Sequence, residues 1–388
     1  MKLAQAYSRD IKSLIYSELK EAGFRFNKTS IVPPNLNNKN KLRKAHQAAK
    51  QHLLNENKEW IIKNEAKLLK YFADGKEIDP EKIDPELVLV DSKDKTGLSD
   101  LFRYASYTWS VPLSSGFGRR LRYLVMDKSN NKLIGLIGLT DPVIGLKVRD
   151  NFIGWDTHQK EKKLWHVMDI YAFGAVPPYS YLLGGKLVAT IANSERIRRD
   201  FMKKYGKGRS NITKRNSKSR KGGLLLLTTT GAFGESSILD RLQGPDKSLL
   251  WDFVGFTQGW GFFHLNNGIA TKIYEYLKQT NNKIVKKHRF GDGPNWKMRL
   301  LREGMKELNI DYQKYGKHGI KRGFYVAPLA SNFKEVLNEK EKRPKLNNWT
   351  TKELFGFFRE RYLLPRAQRD TRWKDFSKDE IRVSNKLI

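Results

Sequence analysis

Hydrophobic and polar positions alternate with two different periods along this chain, and the change of period is clearest between residues 164 and 205. This stretch starts with apolar, β-branched and aromatic residues and breaks at Gly174 and the Pro177-Pro178 pair. Apolar residues then return every four positions, from Leu183 onward. The change indicates a strand, a sharp turn and an amphipathic helix, with Ser180 as the predicted N-cap.

The first turns of that predicted helix indicate an anion-binding site formed by Gly184, Gly185 and Lys186. Free backbone N–H groups and the helix dipole favour an anion there. Glycine lets a ligand approach the backbone closely, and Lys186 adds a positive charge. A strand and helix that simply pack in an α/β core would give the same pattern.

Neighbouring segments predict more strands around this unit. A hairpin is expected from Tyr123–Asp127 and Lys132–Leu139, a buried strand from Leu224–Thr230, and two strands from Trp251–Phe256 and Gly261–Leu265. A short helix is expected in the sequence SSILDRL that follows the buried strand. The fold class predicted is α/β, with one mixed sheet covered by helices.

Helical periodicity dominates on both sides of this core. The resulting division is a helical region at 1–96, a central α/β core at 97–265 and a mostly helical region at 266–388. Lys41–Phe72 predicts one long helix, while Ile269–Leu277, Asn295–Leu308 and Thr350–Tyr362 predict three more.

Charge changes the functional picture. The 388 residues include 74 Lys and Arg against 41 Asp and Glu, a net charge of +33. A small domain needs a net charge of only about 2–8 for solubility, so the excess predicts a polyanionic partner, DNA or RNA.

The chain contains no cysteine, which excludes disulfides and thiolate zinc sites and suits a reducing cytoplasm. Charges throughout the first twenty residues argue against a secretory signal, and no apolar run of about 18 residues predicts a membrane span.

Basic and aromatic residues interleave at 117–123 and 295–302, a pattern typical of proteins whose cations contact phosphates while aromatic rings stack on bases. Between Gly206 and Gly223 lie seven cations and no acid, which predicts a basic loop. Solvated arginines over a core aromatic residue are the alternative. The nucleic-acid-binding candidates are Arg119, Arg120, Arg122, Lys186, Lys214, Arg215, Arg220, Lys221, Lys297, Arg299 and Arg302.

Two kinds of catalytic chemistry are open from the sequence. Acidic residues that converge could hold Mg²⁺ or Mn²⁺ for a nuclease, and the candidates are Asp141, Asp150, Asp156 and Asp169. Tyr179 could act as the nucleophile of a strand-transfer reaction. Ion pairs with arginines such as Arg149, and a tyrosine packed at the turn, are the structural alternatives.

Several ordered blocks between Leu98 and Leu329 stand out, and they include SGFGRRLRYLVMD, RDNFIGWD, VMDIYAFGAVPPYSYLLGGKLVA, LLLLTTTGAFGESSILDRL and GPNWKMRLLREGMKEL. Together these blocks resemble the DruA family of Druantia anti-phage defence systems. The resemblance implies a bacterial or mobile-element protein that acts with nucleic acid and with other proteins of a defence system or mobile element. It implies no particular catalytic mechanism.

The order of elements from Tyr123 to Leu265 also resembles the acyl-CoA N-acetyltransferase fold, in which a V-x-P-x-Y turn leads to a helix whose N-terminus holds pyrophosphate. GAVPPYSYLLGGKL is similar to that turn, although Tyr181 and Lys186 depart from the usual pattern. SSILDRL also lacks the tyrosine that commonly serves as general acid. We therefore expect a nucleic-acid-binding or -processing protein, with a nuclease or strand-transferase and an acyl-CoA-dependent acyltransferase as alternatives.

Overall fold

A computed structural model of the chain describes residues 2–21, 23–27, 31–32, 39–91, 96–113, 116–206, 223–232, 234–261, 267–280, 282, 285, 296–317 and 319–387. The chain forms two compact units. Unit 1 consists of Met1–Lys50 and Thr257–Arg322, and unit 2 of Gln51–Phe256 and Gly323–Ile388. The three-part domain division predicted from the sequence stays a prediction.

The helices within the described residues are α1 (Lys2–Glu21), α2 (Lys39–Glu56), α3 (Lys58–Leu68), α4 (Leu98–Tyr107), α5 (Lys147–Ile153), α6 (Thr157–Lys163), α7 (Gly184–Ile191), α8 (Glu195–Tyr205), α9 (Asn267–Gln279), α10 (Trp296–Glu307), α11 (Tyr312–Gly316), α12 (Phe333–Leu337), α13 (Thr351–Phe358) and α14 (Leu364–Arg369). The strands of the main sheet are β1 (Pro85–Leu89), β2 (Arg120–Asp127), β3 (Lys132–Thr140), β4 (Val167–Ala175), β5 (Leu226–Thr230), β6 (Asp252–Phe256) and β7 (Gly323–Pro328).

Seven described strands form one mixed sheet in unit 2, in the order β1-β2-β3-β4-β5-β7-β6. The pair β4–β5 is parallel and its neighbours are antiparallel. The β4–β5 ladder ends at Asp169 and Thr228, although β4 continues to Ala175. The mixed α/β architecture expected from the sequence is therefore confirmed, and two of its strands, β1 and β7, lie outside the interval 97–265.

One face of this sheet carries the largest core of unit 2. Alternate residues of β2, such as Leu121 and Tyr123, pack there with buried residues of α7, α8 and α13. The amphipathic periods of these helices and the two-residue period of the strands place apolar side chains on the shared side. Burial of this apolar surface is the main favourable term in folding the unit.

Two separate apolar clusters cover the opposite face. One contains Leu124 of β2, Ala172 of β4 and side chains of α3 and α4. The other contains Val167 of β4 and Val326 of β7, together with side chains of α5 and α12. Because Val167 and Ala172 lie on the same strand, the residues between them on this face separate the two clusters.

The turn after β4 differs from its prediction. The Pro177-Pro178 bond is cis, and Tyr179–Leu182 forms a single 3₁₀ turn. Helix α7 starts only at Gly184, after Leu183 in the left-handed region at φ 59°. Ser180 is therefore not the N-cap, because the 3₁₀ turn and the reversal at Leu183 come between it and the helix.

Three further local predictions are corrected or left open. SSILDRL forms consecutive turns rather than a helix, and the Leu242 N–H is bonded three residues back, to Leu239 O. The long helix expected at Lys41–Phe72 is divided into α2 and α3 at Asn57. Most of the strand expected at Gly261–Leu265 lies outside the described residues.

Unit 1 contains a helical core. Helix α9 packs against α1 and α10, and buried residues such as Ile15, Ile273 and Leu301 lie among them. An added Cβ at Gly304 would lie 2.1 Å from Ile273 Cγ2, so glycine lets α9 and α10 approach closely. The helices predicted at Ile269–Leu277 and Asn295–Leu308 are confirmed, within a few residues at their ends.

Within the described part of the chain, no helix combines the length and the apolar composition needed to cross a bilayer.

Candidate functional site

Asp141 and Arg119, both singled out from the sequence, bind each other. Arg119 Nε donates to Asp141 Oδ1 at 2.6 Å, and the Arg119 backbone N–H donates to Asp141 Oδ2 at 3.0 Å. Arg119 Nη1 also donates to the carbonyl oxygen of Trp165 at 2.8 Å, and the guanidinium lies over the Phe201 ring. Arg119 is buried, and its hydrogen bonds connect the start of β2 with Asp141 and with the segment that leads into β4.

Asp150 is surrounded by donors of its own segment. Arg149 Nη2 lies 2.7 Å from Asp150 Oδ1, Lys160 Nζ 3.0 Å from Oδ2, and Trp155 Nε1 donates to Oδ1 at 3.0 Å. Burial alone would raise the pKa of Asp150, but Arg149 and these donors outweigh it and lower the pKa. Asp156 has a different role: its side chain accepts from the Gln159 N–H at 2.7 Å and caps α6.

Tyr179 lies inside unit 2, at the end of the β2–β3 hairpin. Its hydroxyl donates to Asp127 Oδ2 at 2.8 Å and lies 3.0 Å from Asn130 Nδ2. Burial and the nearby Asp127 carboxylate raise the pKa of Tyr179 well above its ordinary value. The geometry therefore makes Tyr179 a link between the turn after β4 and the hairpin, with its oxygen enclosed.

The glycines at the start of α7 are used for packing. A Cβ at Gly184 would lie 2.6 Å from Tyr179 O and 2.8 Å from Ala175 Cβ, so this position admits only glycine without rearrangement. A Cβ at Gly185 would lie 3.1 Å from the Ile238 side chain. Lys186 Nζ donates to Asp240 O at 3.1 Å, and burial lowers the pKa of Lys186. Both glycines and Lys186 therefore make contacts within the protein, and the anion site stays a prediction.

A row of polar residues separates the two apolar clusters on the second sheet face. The register places Thr140 opposite both Arg120 and Asp169, and Asp169 beside Thr228. Arg122 precedes the cluster at Leu124 by two residues, so it shares that face. We call this row the polar seam: Arg120, Arg122, Thr140, Asp169, Tyr171 and Thr228.

Asp169 is the acid at the centre of the seam. Thr228 Oγ1 donates to Asp169 Oδ1 at 2.7 Å. Burial raises the pKa of Asp169 to about 6, against smaller opposing effects of Thr228 and the Arg149 guanidinium. Burial therefore favours the protonated form of this carboxyl group.

Two arginines and a tyrosine form the other half of the seam. Burial raises the pKa of Tyr171, against the lowering effect of the nearby Arg122 side chain. The Arg122 guanidinium lies 5.6 Å from the Phe102 ring centroid. Gly138 allows the Tyr171 ring to lie on the sheet, since an added Cβ would come within 2.7 Å of that ring. Arg120 Nε is buried and has no hydrogen-bond partner among the described residues.

Sequence reasoning selected Arg120, Arg122 and Asp169 but missed Thr140, Tyr171 and Thr228. Thr140 and Thr228 each end an apolar run, LIGLT and LLLLT, and both are paired with Asp169 of β4. That ending is a usable signal, because a polar residue after a continuous apolar run marks the position at which the strand leaves the apolar core. The bulge in β4 that brings Tyr171 to this face has no comparable sequence signal.

The four candidate metal-binding acids do not converge in this structure. Asp141, Asp150 and Asp156 have separate partners. The positive charge of Arg149 acts on Asp169 and tends to lower its pKa. Across the described ranges, no group of three or more histidines and acids is arranged to hold a metal ion.

The predicted cations of unit 1 lie on α10. Arg299 and Arg302 are exposed and share a helix face with exposed Lys306, while Leu300 and Leu301 are buried. Lys297 is half-buried, and burial lowers its pKa against the attraction of Glu18. The remaining predicted cations, Lys214, Arg215, Arg220 and Lys221, lie outside the described residues.

Positive charge is concentrated in unit 1. Its two segments carry 25 Lys and Arg against 8 Asp and Glu, a net charge of +17 over 116 residues. Unit 2 carries 49 against 33, a net charge of +16 over 272 residues. Seven of the cations in unit 2 lie between Gly206 and Gly223, and the rest of unit 2 carries a net charge of +9.

The fold and the charge define a class: a basic two-unit protein whose α/β unit has a seven-stranded mixed sheet. The family model described as Druantia protein DruA matches residues 36–339. A curated relative, the Druantia protein DruA of Escherichia coli strain UMEA 4076-1, is 38% identical over 365 residues, covering 94% of this chain and 89% of the relative. The chain belongs to the DruA family. No solved structure matches it.

Proposed function

We propose that this protein binds nucleic acid as a component of a DruA-type anti-phage defence system. Membership of the DruA family supports the system, and the concentration of charge in unit 1 supports the ligand. A net charge of +17 on 116 residues is costly to assemble through self-repulsion unless a polyanion neutralises it. This charge density is the observation that carries the proposal.

Helix α10 is the described element best suited to phosphate contact. Arg299, Arg302 and Lys306 follow one another at intervals of three and four residues, so the three cations occupy one exposed face. Successive phosphates along one DNA strand could each meet one of these side chains, with release of bound counterions. The basic segment between Gly206 and Gly223 would add further contacts, on the strength of its sequence alone.

Fluorescence anisotropy with labelled DNA and RNA, measured from 50 to 300 mM salt, tests the proposal. The triple variant R299A/R302A/K306A should weaken binding at every sequence and reduce the slope of log K against log salt by about 2 to 3. The matched control is K58A/K63A/K67A, which removes three exposed cations from α3 in unit 2.

Equal losses in the two triple variants would mean that only net charge matters and would refute a role for α10. Failure of the wild-type protein to bind any DNA or RNA in 50 mM salt would overturn the proposed function. Adding Mg²⁺ or Mn²⁺ to the same mixtures separates binding from cutting. The nuclease alternative would be supported if Asp169→Asn abolished cleavage and the same substitution at each of the other predicted acids did not.

An acyl-CoA-dependent acyltransferase is the second candidate, and the sheet topology favours it. A parallel pair, β4 and β5, stands within an otherwise antiparallel sheet, and β4 runs through a turn into α7. The resemblance of the sequence to the acyl-CoA N-acetyltransferase fold was based on this same order of elements. The packing of Gly184 and the bond from Lys186 to Asp240 oppose a pyrophosphate site there. A calorimetric titration with acetyl-CoA tests it, and an absence of heat would remove this candidate.

A further inference from the structure

Unit 1 contains a row of aromatic rings that its hydrophobic core does not explain. The Tyr16 ring of α1 stacks on Phe26, with centroids 3.9 Å apart and planes inclined by 14°. Phe26 in turn contacts Tyr315 of α11 at 6.4 Å. Tyr312, one turn earlier on α11, packs edge-on against Trp260 at 5.7 Å. Five rings from four parts of the chain are thereby gathered around one short helix.

The outer members of this row remain open to solvent. Tyr16 is 48% exposed and Trp260 is 39% exposed, whereas α1 buries Ile11, Ile15 and Leu19 in the core of the unit. Helix α1 therefore exposes the Tyr16 ring to solvent and buries Ile11, Ile15 and Leu19. A helix that inserts into a bilayer surface would need the opposite arrangement, with the aliphatic face outward.

Cations accompany the exposed rings. Lys12 and Lys20 lie one turn before and one turn after Tyr16 on α1, and both are exposed. Lys314 Nζ donates to Asn27 O at 2.9 Å, which attaches α11 to the backbone beside Phe26. The Arg302 guanidinium is close enough to Tyr312 to oppose the rise of its pKa on burial. Exposed lysines therefore flank Tyr16 on α1, and a hydrogen bond connects α11 to the segment that carries Phe26.

We propose that Tyr16, stacked on Phe26, forms a platform for unpaired bases, so that unit 1 prefers single-stranded nucleic acid. This inference rests on the proposed function and specifies its ligand. The solvent-exposed Tyr16 ring can stack on an unpaired base, while the neighbouring lysines contact the adjacent phosphates. In duplex DNA the bases are stacked inside the helix, so only the phosphates can contact this surface.

The test compares a single-stranded oligonucleotide with an abasic strand of the same length and charge, each by fluorescence anisotropy. Replacement by alanine of an aromatic residue that stacks on a base typically weakens binding by about 5- to 150-fold. We expect the full-length wild-type protein to bind the normal strand more tightly than the abasic strand. The variant Y16A should remove most of that difference, and Y16F should keep it because the ring is retained.

Tyr274 of α9 provides the matched control, since it is 43% exposed in the same unit and outside the aromatic row. Y274A should bind both strands as the wild-type protein does. Equal, salt-sensitive binding of normal and abasic strands by the wild-type protein would overturn the platform and leave the proposed function standing. Absence of binding to either strand would remove both. If Y16A does not fold, the abasic comparison and Y16F decide the question by themselves.

Discussion

Replacement of Asp169 by asparagine should change how the stability of unit 2 depends on pH. In the folded protein the pKa of Asp169 is raised from 3.8 to about 6 by burial. The folded state therefore holds this proton more tightly than the unfolded state does. The contribution to stability is complete below pH 3.8 and is lost as the pH rises to about 6.

The size of the effect follows from the two pKa values. A change of about 2 units corresponds to about 3 kcal/mol of unfolding free energy, as an upper figure. Asparagine keeps an oxygen that can accept from Thr228 but carries no charge at any pH. The variant should therefore lack this loss, and its stability relative to wild type should rise by about 2 kcal/mol between pH 4.5 and pH 8.

Urea unfolding of both proteins at pH 4.5, 6, 7 and 8 measures this difference. Asp375→Asn, which removes an exposed carboxyl group, serves as the control and should follow wild type at each pH. A constant difference between Asp169→Asn and wild type across this range would refute the reasoning, because it would mean that Asp169 titrates alike in both states. A stabilising substitution in the polar seam would also be typical of a functional position.

Three further substitutions test the packing and polar contacts of unit 2 by the same unfolding measurement. Gly184→Ala should cost about 1 to 3 kcal/mol because its Cβ would overlap Tyr179 O and Ala175, whereas Gly356→Ala, with nothing within 4 Å, should stabilise α13 by about 0.5 to 1 kcal/mol. A stable Gly184→Ala protein would show that the turn can move. Glu65→Gln should cost about 1 to 3 kcal/mol at pH 7, since Glu65 accepts bonds from Tyr104 and from the Ser384 backbone. Burial alone would raise the pKa of Glu65, but these hydrogen bonds outweigh burial and lower the pKa. The cost of Glu65→Gln should therefore shrink as the pH falls below 4.5. A cost that does not change with pH would contradict this role.

The strands and helices with strong local patterns were predictable from the sequence. The β2–β3 hairpin and β5 correspond to apolar runs bounded by polar residues or glycine, whereas the single helix expected after β4 is divided into α7 and α8. Helix α7 began later than predicted, because Leu183 adopts a left-handed conformation that no capping pattern indicates. Local preferences set such elements only where tertiary contacts do not oppose them.

The candidate site was much less predictable. The acids at 141, 150 and 156 are close in sequence, and this suggested a shared metal site, yet each has a partner from its own surroundings. The polar seam, in contrast, joins β2, β3, β4 and β5 through their registers. Registers between strands distant in sequence follow from side-chain packing over the whole sheet.

The sequence by itself determined the excess of positive charge, the absence of cysteine, the mixed α/β character and the resemblance to the DruA family, because these depend on composition and on residues near one another in the chain. The tertiary structure alone decided that positive charge is concentrated in unit 1, which combines residues before position 51 with residues after position 256. It alone placed Asp169 beside Thr228 and Tyr16 on Phe26. These pairs depend on long-range packing, and the environment that shifts a pKa or exposes a ring exists only after that packing is complete.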